Sequence, residues 1–176
     1  PVVVCAHMDE VGVIVKKITD DGMIKFGFVG GVDPRVVIGR PVRFGEVTGV
    51  IGIKAVHLTT AAERRTMPKA KDLYIDIGAS SRAVAEERVS LGDYGVFDSP
   101  VVEFGDGLIK AKAIDDRVGC AALLKLLEEQ PPIDTWFCFT VQEEVGLRGA
   151  KTAAFAIDPA YAIAVDVTSA DDELGS

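Results

Sequence analysis

The sequence predicts an α/β fold: a sheet covered by helices, interrupted by a small, mostly antiparallel, barrel-like β domain. Up to about Asp106, short runs of β-branched residues alternate with Gly, Asp and Pro, which is typical of antiparallel strands and turns. From Gly107 onward, continuous apolar strands alternate with helical segments, which indicates a parallel or mixed sheet. The opening run "PVVVCA" has the same buried character. We therefore assign it to the later sheet, so that the β domain is an insertion.

The β domain is predicted over residues 13–105. Its strand-like runs include "VGVIVKKI", "MIKFGFV", "VIGIKAV" and "LYIDIG", and turn signals such as "TDDG" and "GGVDP" separate them. One short helix interrupts the strands, because Ser80 or Ser81 can cap the segment "RAVAEER". Many short strands separated by turns predict a small unit that closes on itself.

The α/β part is discontinuous and is predicted over residues 1–12 and 106–176. The strand "LIKAKA" precedes the helix "RVGCAALLKLLEE", which Pro131 and Pro132 stop. We expect a buried strand at "TWFCFTV", a helix at "RGAKTAAFA" and another buried strand at "AYAIAV". Because the chain begins in one apolar run and ends just after another, we expect it to be part of a longer protein, truncated at both ends.

Composition and charge exclude several classes of partner. The 176 residues are 48% hydrophobic and carry 19 Lys and Arg against 27 Asp and Glu, for a formal net charge of -8. This balance argues against nucleic acid or an anionic membrane as a partner. No apolar run approaches the ~20 residues of a membrane helix. The cysteines share no C-x-x-C spacing and lie in apolar runs, which predicts buried thiols in a cytoplasmic protein.

Residues that can bind a cation follow four apolar strands of the predicted sheet. They are His7 with Asp9, Asp115 with Asp116, Glu143 with Glu144, and Asp166. The ligand crevice of an open α/β sheet lies outside the carboxyl ends of its strands, so these side chains are expected to converge. Any one acid, taken alone, is better explained as a helix cap or a solvated turn, and Asp116 can cap the helix that begins near Arg117. Four such strand ends together predict a metal centre, because clustered carboxylates repel one another without a cation.

The residue types favour particular metals and roles. Histidine with carboxylates, and no cysteine at ligand spacing, suits zinc, cobalt or manganese in a catalytic site, with two ions if one carboxylate bridges them. His7 alone could be a buried core histidine, but an Asp9 carboxylate on its far ring nitrogen would orient it as a ligand. Glu143 and Glu144 can both face the site only if the chain turns there, so that one ligates metal and the other acts as general base. The pair Asp115–Asp116 raises the same question, and a cis peptide, despite a cost of about 3 kcal/mol, is one answer.

With these residues identified, the chain resembles the M42 family of metal-dependent aminopeptidases. The stretches "AHMDEVG", "GGVDPR", "DLYIDIGASS", "KAIDDRVGC", "TVQEEVGLRGA" and "AVDVT" carry the resemblance and run through nearly the whole chain. It implies a zinc-exopeptidase-like mixed sheet with helices on both faces, and an inserted β domain that serves dimerisation or assembly. It also implies homo-oligomers, commonly dimers built into twelve-subunit shells, and short peptides as substrates.

The resemblance also implies a role for each site residue. The four implied metal ligands are His7, Asp115, Glu144 and Asp166. Asp115 bridges two divalent ions, zinc being favoured over cobalt or manganese, and precedes a cis peptide. Glu143 is the implied general base, and Asp9 is the catalytic residue that orients His7. One further histidine ligand of the family lies downstream of this sequence, and we interpret His57 as a structural residue of the β domain.

Three alternatives stay open at this point. The first is a related metal-dependent amidohydrolase or deacylase that acts on acylated amino acids. The second is a glycoside hydrolase, suggested by the many carboxylates and by the cellulase label that some family members have carried, although it gives His7 no role. The third is a catalytically inactive assembly fragment. We expect a longer protein to be active and this segment alone to be inactive.

Overall fold

The computed structural model describes residues 1–61 and 65–168, and these divide into two units. One unit contains Pro1–Glu10 and the described residues from Ala113 onward, and the other contains Val11–Lys112. The sequence predicts the return to the α/β part at residue 106, whereas the structure keeps residues 106–112 with the β unit. No helix of the described residues is long and apolar enough to cross a membrane.

Six strands of the β unit close into an antiparallel barrel with the spatial order β2-β3-β6-β5-β4-β7. These strands are β2 (Gly12–Ile18), β3 (Ile24–Val29), β4 (Pro41–Phe44), β5 (Val47–Ile53), β6 (Leu73–Asp76) and β7 (Tyr94–Phe97). The described residues between β5 and β6 include two 3-10 turns, Val56–Leu58 and Ala70–Asp72. The short helix α1 (Arg82–Glu86) is capped by Ser81, whose side chain accepts a hydrogen bond from the Val84 N–H.

The barrel forms because alternate residues of its strands are apolar and point inward. Val13 and Val15 of β2 are 1% and 2% exposed, and Ile51 and Ile75 of β5 and β6 are 1% and 0% exposed. Burying one such side chain contributes about 1.5–3 kcal/mol, so this cluster stabilises the β unit. The predicted barrel-like β domain is therefore confirmed as a closed barrel.

The run "LIKAKA" was expected to enter the α/β sheet, and this expectation is wrong. Strand β9 (Leu108–Lys110) instead pairs antiparallel with β8 (Val102–Phe104) in a separate two-stranded sheet. The Asp106-Gly107 pair explains the difference, because Asp-Gly between two short strands is a strong hairpin signal. Gly107 has a φ of 74°, which favours glycine at this turn.

The α/β unit contains three parallel strands in the order β10-β1-β11. They are β1 (Val2–His7), β10 (Thr135–Thr140) and β11 (Tyr161–Ala164), and the two helices are α2 (Ile114–Glu128) and α3 (Arg148–Ile157). Val4 and Ala6 of the central strand pack against Cys120 and Leu123 of α2. The α/β fold class is confirmed, and its parallel strands bring their carboxyl ends to one edge.

Candidate metal centre

The register of the parallel sheet determines which residues meet at its carboxyl edge. His7, the last residue of β1, lies opposite Thr140, the last residue of β10. Cys5 lies opposite Ala164, the last residue of β11. The segment that carries Glu143 and the residue Asp166 therefore leave the sheet beside His7. This is the convergence that the sequence predicts from the strand ends.

The His7 imidazole is buried, with 3% of its surface exposed, and three predicted site residues surround one of its nitrogens. His7 Nε2 lies 3.1 Å from Asp115 Oδ1, 3.8 Å from Glu143 Oε2 and 3.9 Å from Asp166 Oδ1. Asp115 and Asp166 are about half exposed, so the site opens to solvent on their side. The imidazole is thus the buried base of an otherwise carboxylate-lined site.

The hydrogen bonding of His7 distinguishes its two ring nitrogens. Nδ1 lies 3.0 Å from the main-chain carbonyl oxygen of Asp9, which can only accept a hydrogen bond, so Nδ1 carries the proton. In the neutral imidazole, the lone pair of Nε2 then faces the oxygens of Asp115, Glu143 and Asp166, whereas a protonated imidazole would donate from Nε2 to Asp115 Oδ1 at 3.1 Å. The neutral form presents one nitrogen and several carboxylate oxygens, a donor set that suits a metal ion.

Two groups of ligand atoms lie close enough together to hold an ion. Atoms of His7, Asp115 and Asp166 lie within 4.8 Å of one another, and so do atoms of His7, Glu143 and Glu144. All four predicted ligands and the predicted base Glu143 therefore belong to one cluster. Imidazole nitrogen with carboxylate oxygen is a donor set that zinc, cobalt and manganese accept.

Asp9 contacts His7 differently from the sequence-based expectation. Its main-chain carbonyl, rather than its carboxylate, makes the short contact with His7 Nδ1, and carboxylate Oδ1 lies farther away at 3.5 Å. The two carboxylate oxygens accept hydrogen bonds from the main-chain N–H groups of Glu143 and Glu144, at 3.1 and 3.2 Å. Asp9 therefore links the imidazole to the glutamate loop, a role that no sequence signal indicates.

The loop between β10 and α3 turns sharply enough for both glutamates to face the site. Gln142 and Leu147 have φ values of 59° and 58°, and Gly146 has 118°. The carbonyl of Glu143 accepts hydrogen bonds from the N–H groups of Gly146 and Leu147, which closes the turn. The prediction that "EEVGLRG" turns is therefore confirmed.

The two aspartates at the start of α2 point to different places. The Asp115–Asp116 peptide bond is cis, and neither residue has helical φ and ψ angles. Asp115 faces His7 Nε2, whereas Asp116 is 0% exposed and its Oδ1 accepts a hydrogen bond from the Gly119 N–H at 3.2 Å. The interpretation of Asp116 as a helix cap is confirmed, because it satisfies a free N–H of the first helical turn.

The electrostatics of the site favour added positive charge. Burial opposes protonation of His7, but the hydrogen bond to the Asp9 carbonyl and the charges of Asp9, Glu143 and Asp115 outweigh it, so the pKa of His7 is raised. Burial, together with the charges of Asp115 and Glu143, raises the pKa of Glu144. Each shift makes proton uptake easier, and a divalent cation would relieve the same repulsion.

Arg117 and His57 do not belong to the candidate ligand groups. The Nε of Arg117 donates a hydrogen bond to the main-chain carbonyl of Met8 at 2.7 Å. His57 is exposed on the 3-10 turn Val56–Leu58 of the β unit. Cys120, which the sequence predicts only as a buried thiol, donates its Sγ hydrogen to the carbonyl of His7 at 3.1 Å.

Comparison with known proteins shows which family the chain resembles. The profile of the M42 glutamyl aminopeptidase family matches residues 1–176. A protein of Acetivibrio thermocellus, provisionally named an aminopeptidase, is 47% identical over 173 residues, which is 97% of this chain and 51% of that protein.

Solved structures share the fold as well as the sequence. An aminopeptidase from the archaeon Desulfurococcus kamchatkensis has a TM-score of 0.88 and 41% identity, with 99% of this chain and 49% of that chain covered. The TET1 peptidase of Pyrococcus horikoshii, described as assembling into a tetrahedron or a large octahedral shell, has a TM-score of 0.83 and 37% identity. That match covers 99% of this chain and 57% of the other. The chain spans about half the length of the relatives it matches.

Proposed function

This chain belongs to the M42 glutamyl aminopeptidase family, and on that premise we propose that the protein is a metal-dependent aminopeptidase that removes N-terminal residues from short peptides. One observation carries the proposal. A ring nitrogen of a buried histidine, His7 Nε2, lies within 3.9 Å of carboxylate oxygens of Asp115, Glu143 and Asp166. Such an arrangement suits a hydrolytic metal centre.

The proposed centre holds two divalent ions, with zinc favoured and cobalt or manganese also acceptable. One ion would be held by His7, Asp115 and Asp166, a group whose ligand atoms lie within 4.8 Å of one another. Asp115 would also contact the second ion, together with Glu144. When bound, such ions supply Lewis acidity, because they lower the pKa of a coordinated water and polarise a carbonyl.

Glu143 is the proposed general base. Its carboxylate is 29% exposed and lies at the edge of the ligand cluster, so it can reach both a water molecule and the solvent side of the site. We infer that it takes a proton from the attacking water while the water oxygen bonds to the scissile carbonyl carbon. As the carbon–nitrogen bond breaks, Glu143 returns the proton to the leaving amine. Asp9 fixes the main chain of this base through the Glu143 N–H.

Replacing Glu143 tests the proposed role directly. Glu143→Gln keeps the size of the side chain but removes the base, so kcat should fall by about 100-fold or more, because a positioned acid–base group contributes about 10²–10⁴-fold. Metal content, measured by mass spectrometry of the purified full-length protein, should stay unchanged. Full activity in the E143Q variant would reject this role.

Two enzymatic alternatives are separable from the aminopeptidase by simple assays. Treatment with EDTA should abolish the activity of a metal-dependent aminopeptidase, whereas most glycoside hydrolases would stay active. A panel of aminoacyl and N-acyl substrates distinguishes an aminopeptidase from a deacylase, and we expect cleavage only where the α-amino group is free.

We further propose that the full-length protein forms a homo-oligomer through the β unit, in the manner of the shells described for the TET1 peptidase. Light scattering on the purified protein tests this, and a monomer would contradict it. Because the chain spans about half of its relatives, we expect residues 1–176 alone to be inactive.

A further inference from the structure

Two buried side chains of α2 hold the main chain of His7, and neither takes part in the reaction proposed above. Asp116 Oδ2 accepts a hydrogen bond from the His7 N–H at 3.3 Å. Cys120 Sγ donates to the His7 carbonyl oxygen at 3.1 Å. Asp116 is 0% exposed and Cys120 is 8% exposed. We refer to this pair of residues as the bracket.

The bracket exists because β1 extends beyond one of its neighbours. Pairing of β1 with β11 ends at Cys5, whose carbonyl accepts the last hydrogen bond, from the Val165 N–H. The N–H and carbonyl of His7 point to the same side as those of Cys5, so they lie past the end of that ladder. Buried main-chain groups require partners, and the two side chains of α2 supply them.

Helical spacing lets one helix satisfy both groups. Asp116 precedes the first regular turn of α2 and Cys120 lies one turn later, and both side chains contact the main chain of His7. The carboxylate of Asp116 is anchored at the other end, because its Oδ1 accepts the Gly119 N–H at 3.2 Å. The position of His7 is therefore tied to the first turn of the helix that also begins with Asp115.

We propose that Asp116 and Cys120 are positioning residues, which fix the direction of the His7 imidazole by holding its main chain on both sides of the Cα atom. This inference rests on the metal-dependent function proposed above. A metal ligand must be held within about 0.5 Å of its productive position, and a histidine ligand is usually oriented by a hydrogen bond to its far ring nitrogen. His7 has that contact with Asp9 and the bracket in addition.

Gly119 makes room for the bracket. A Cβ atom built at Gly119 would lie 2.5 Å from both carboxylate oxygens of Asp116. The Asp116 side chain is fully buried and bonded at both oxygens, so it cannot move aside without losing a partner. Gly119→Ala should therefore displace the carboxylate, although the substitution removes no polar group and alanine favours helix.

The test measures the affinity of the full-length protein for Co²⁺, by competition with a chelator, at a temperature where every variant is folded. Cys120→Ala removes the donor to the His7 carbonyl, and affinity should fall by about 3- to 10-fold, the value of one hydrogen bond. Cys120→Ser restores a donor and should recover most of the affinity. Asp116→Asn has one acceptor oxygen in place of two, so affinity should fall by about 10-fold or more. Gly119→Ala should lower it in the same direction.

A matched control separates positioning from general loss of stability. Leu123 is 0% exposed on the same helix and packs in the core with Val4 and Ala6. Leu123→Ala should lower the melting temperature while the folded variant keeps its Co²⁺ affinity. The visible spectrum of bound Co²⁺ should change in the C120A variant and not in L123A, because the spectrum reports ligand geometry.

The outcomes distinguish this inference from the function on which it rests. Wild-type affinity and spectrum in the C120A variant, or equal losses in C120A and C120S, would overturn the positioning role alone. A loss of affinity in L123A as large as in C120A would also overturn it, since packing would then explain both. If the unsubstituted protein binds no Co²⁺, the proposed metal centre is wrong and this inference fails with it.

Discussion

At the scale of single residues, Asp9 shows how one side chain and its own main chain serve different parts of a site. The main-chain carbonyl of Asp9 accepts a hydrogen bond from His7 Nδ1, and its carboxylate accepts hydrogen bonds from the main-chain N–H groups of Glu143 and Glu144. His7 at the end of β1 and the proposed base Glu143 in the loop after β10 are thereby fixed relative to each other. Two hydrogen bonds to one carboxylate therefore connect the glutamate loop to the residue that contacts His7.

Replacing Asp9 by Asn should weaken the site without removing any ligand. An amide offers one acceptor oxygen, so one of the two N–H groups of Glu143 and Glu144 would lose its partner. We expect kcat/KM to fall by about 10- to 100-fold, with weaker metal binding. The measurement is steady-state kinetics with a Zn²⁺ titration. Asp106→Asn, the same change at an exposed hairpin turn that Asn-Gly also suits, is the control and should be neutral.

The raised pKa values at the site predict opposite effects of pH on metal-free and metal-loaded protein. Burial and neighbouring charges raise the pKa of Glu144, and burial raises the pKa of Asp116. Burial lowers the pKa of His7, but the contacts with Asp9 and the nearby negative charges outweigh it, so that pKa is also raised. A folded-state pKa above the unfolded value means that folding takes up protons. The stability that these groups contribute is therefore fully present below their pKa values in the unfolded chain. It is lost as the pH rises through their pKa values in the folded protein.

For the EDTA-treated protein, the His7 contribution to the melting temperature should grow as pH falls from about 8 to about 6, the range around the ordinary histidine pKa. Metal affinity should fall over the same range, because bound ligands must be deprotonated. A His7→Gln variant supplies the reference, since it lacks this contribution. A metal-free wild-type protein that loses stability relative to H7Q on acidification would contradict the account.

At the scale of elements, the loop between β10 and α3 is the part of the site most sensitive to backbone crowding. Gly149, in the first turn of α3, donates its N–H to the Val141 carbonyl at 2.9 Å. A Cβ atom at Gly149 would lie 2.4 Å from that oxygen and 2.7 Å from the Val141 nitrogen. Both neighbours are main-chain atoms, so they cannot rotate away as a side chain can.

Gly149→Ala should therefore displace the glutamate loop and lower the free energy of unfolding by about 1–3 kcal/mol. Metal affinity should fall as well, because Glu143 and Glu144 lie on the displaced segment. Urea unfolding and Zn²⁺ titration measure the two effects. Gly31→Ala serves as a control, because a Cβ atom there meets nothing within 4 Å and its effect should stay within about 0.5 kcal/mol. Equal stability of G149A and G31A would contradict this reading of the loop.

The sequence predicts where the strands end better than it predicts which strands pair with each other. Apolar runs ending in acids locate His7, Glu143 and Asp166 correctly at one edge, because parallel strands share a direction. The run "LIKAKA" was misplaced because its apolar pattern fits a sheet of either kind, and the Asp106-Gly107 turn decided its partner. The run "AYAIAV" was expected to be buried, but all residues of β11 are exposed, since it is an edge strand and the helices pack mainly on β1 and β10.

At the scale of the whole molecule, the sequence predicts the number and kind of its parts better than their internal contacts. Periodicity and turn residues indicate a barrel inserted into an α/β unit, and the structure has both. The contacts of Asp9, Asp116 and Cys120 with main-chain atoms were not predictable, because they depend on where β1 ends relative to its neighbours. A sequence shows which side chains can bind a metal or act as a base. The register of β1 against its neighbouring strands is a property of the folded chain.

The most direct test of the central claim is anomalous X-ray scattering at the zinc edge from crystals of the full-length protein. We expect a peak within about 2.0–2.2 Å of His7 Nε2 and of oxygens from Asp115 and Asp166. A second peak should lie within bonding distance of both Asp115 and Glu144, so that Asp115 contacts both metal ions. Metal-replete crystals with no anomalous peak at His7, or with the metal bound elsewhere, would contradict the proposed centre.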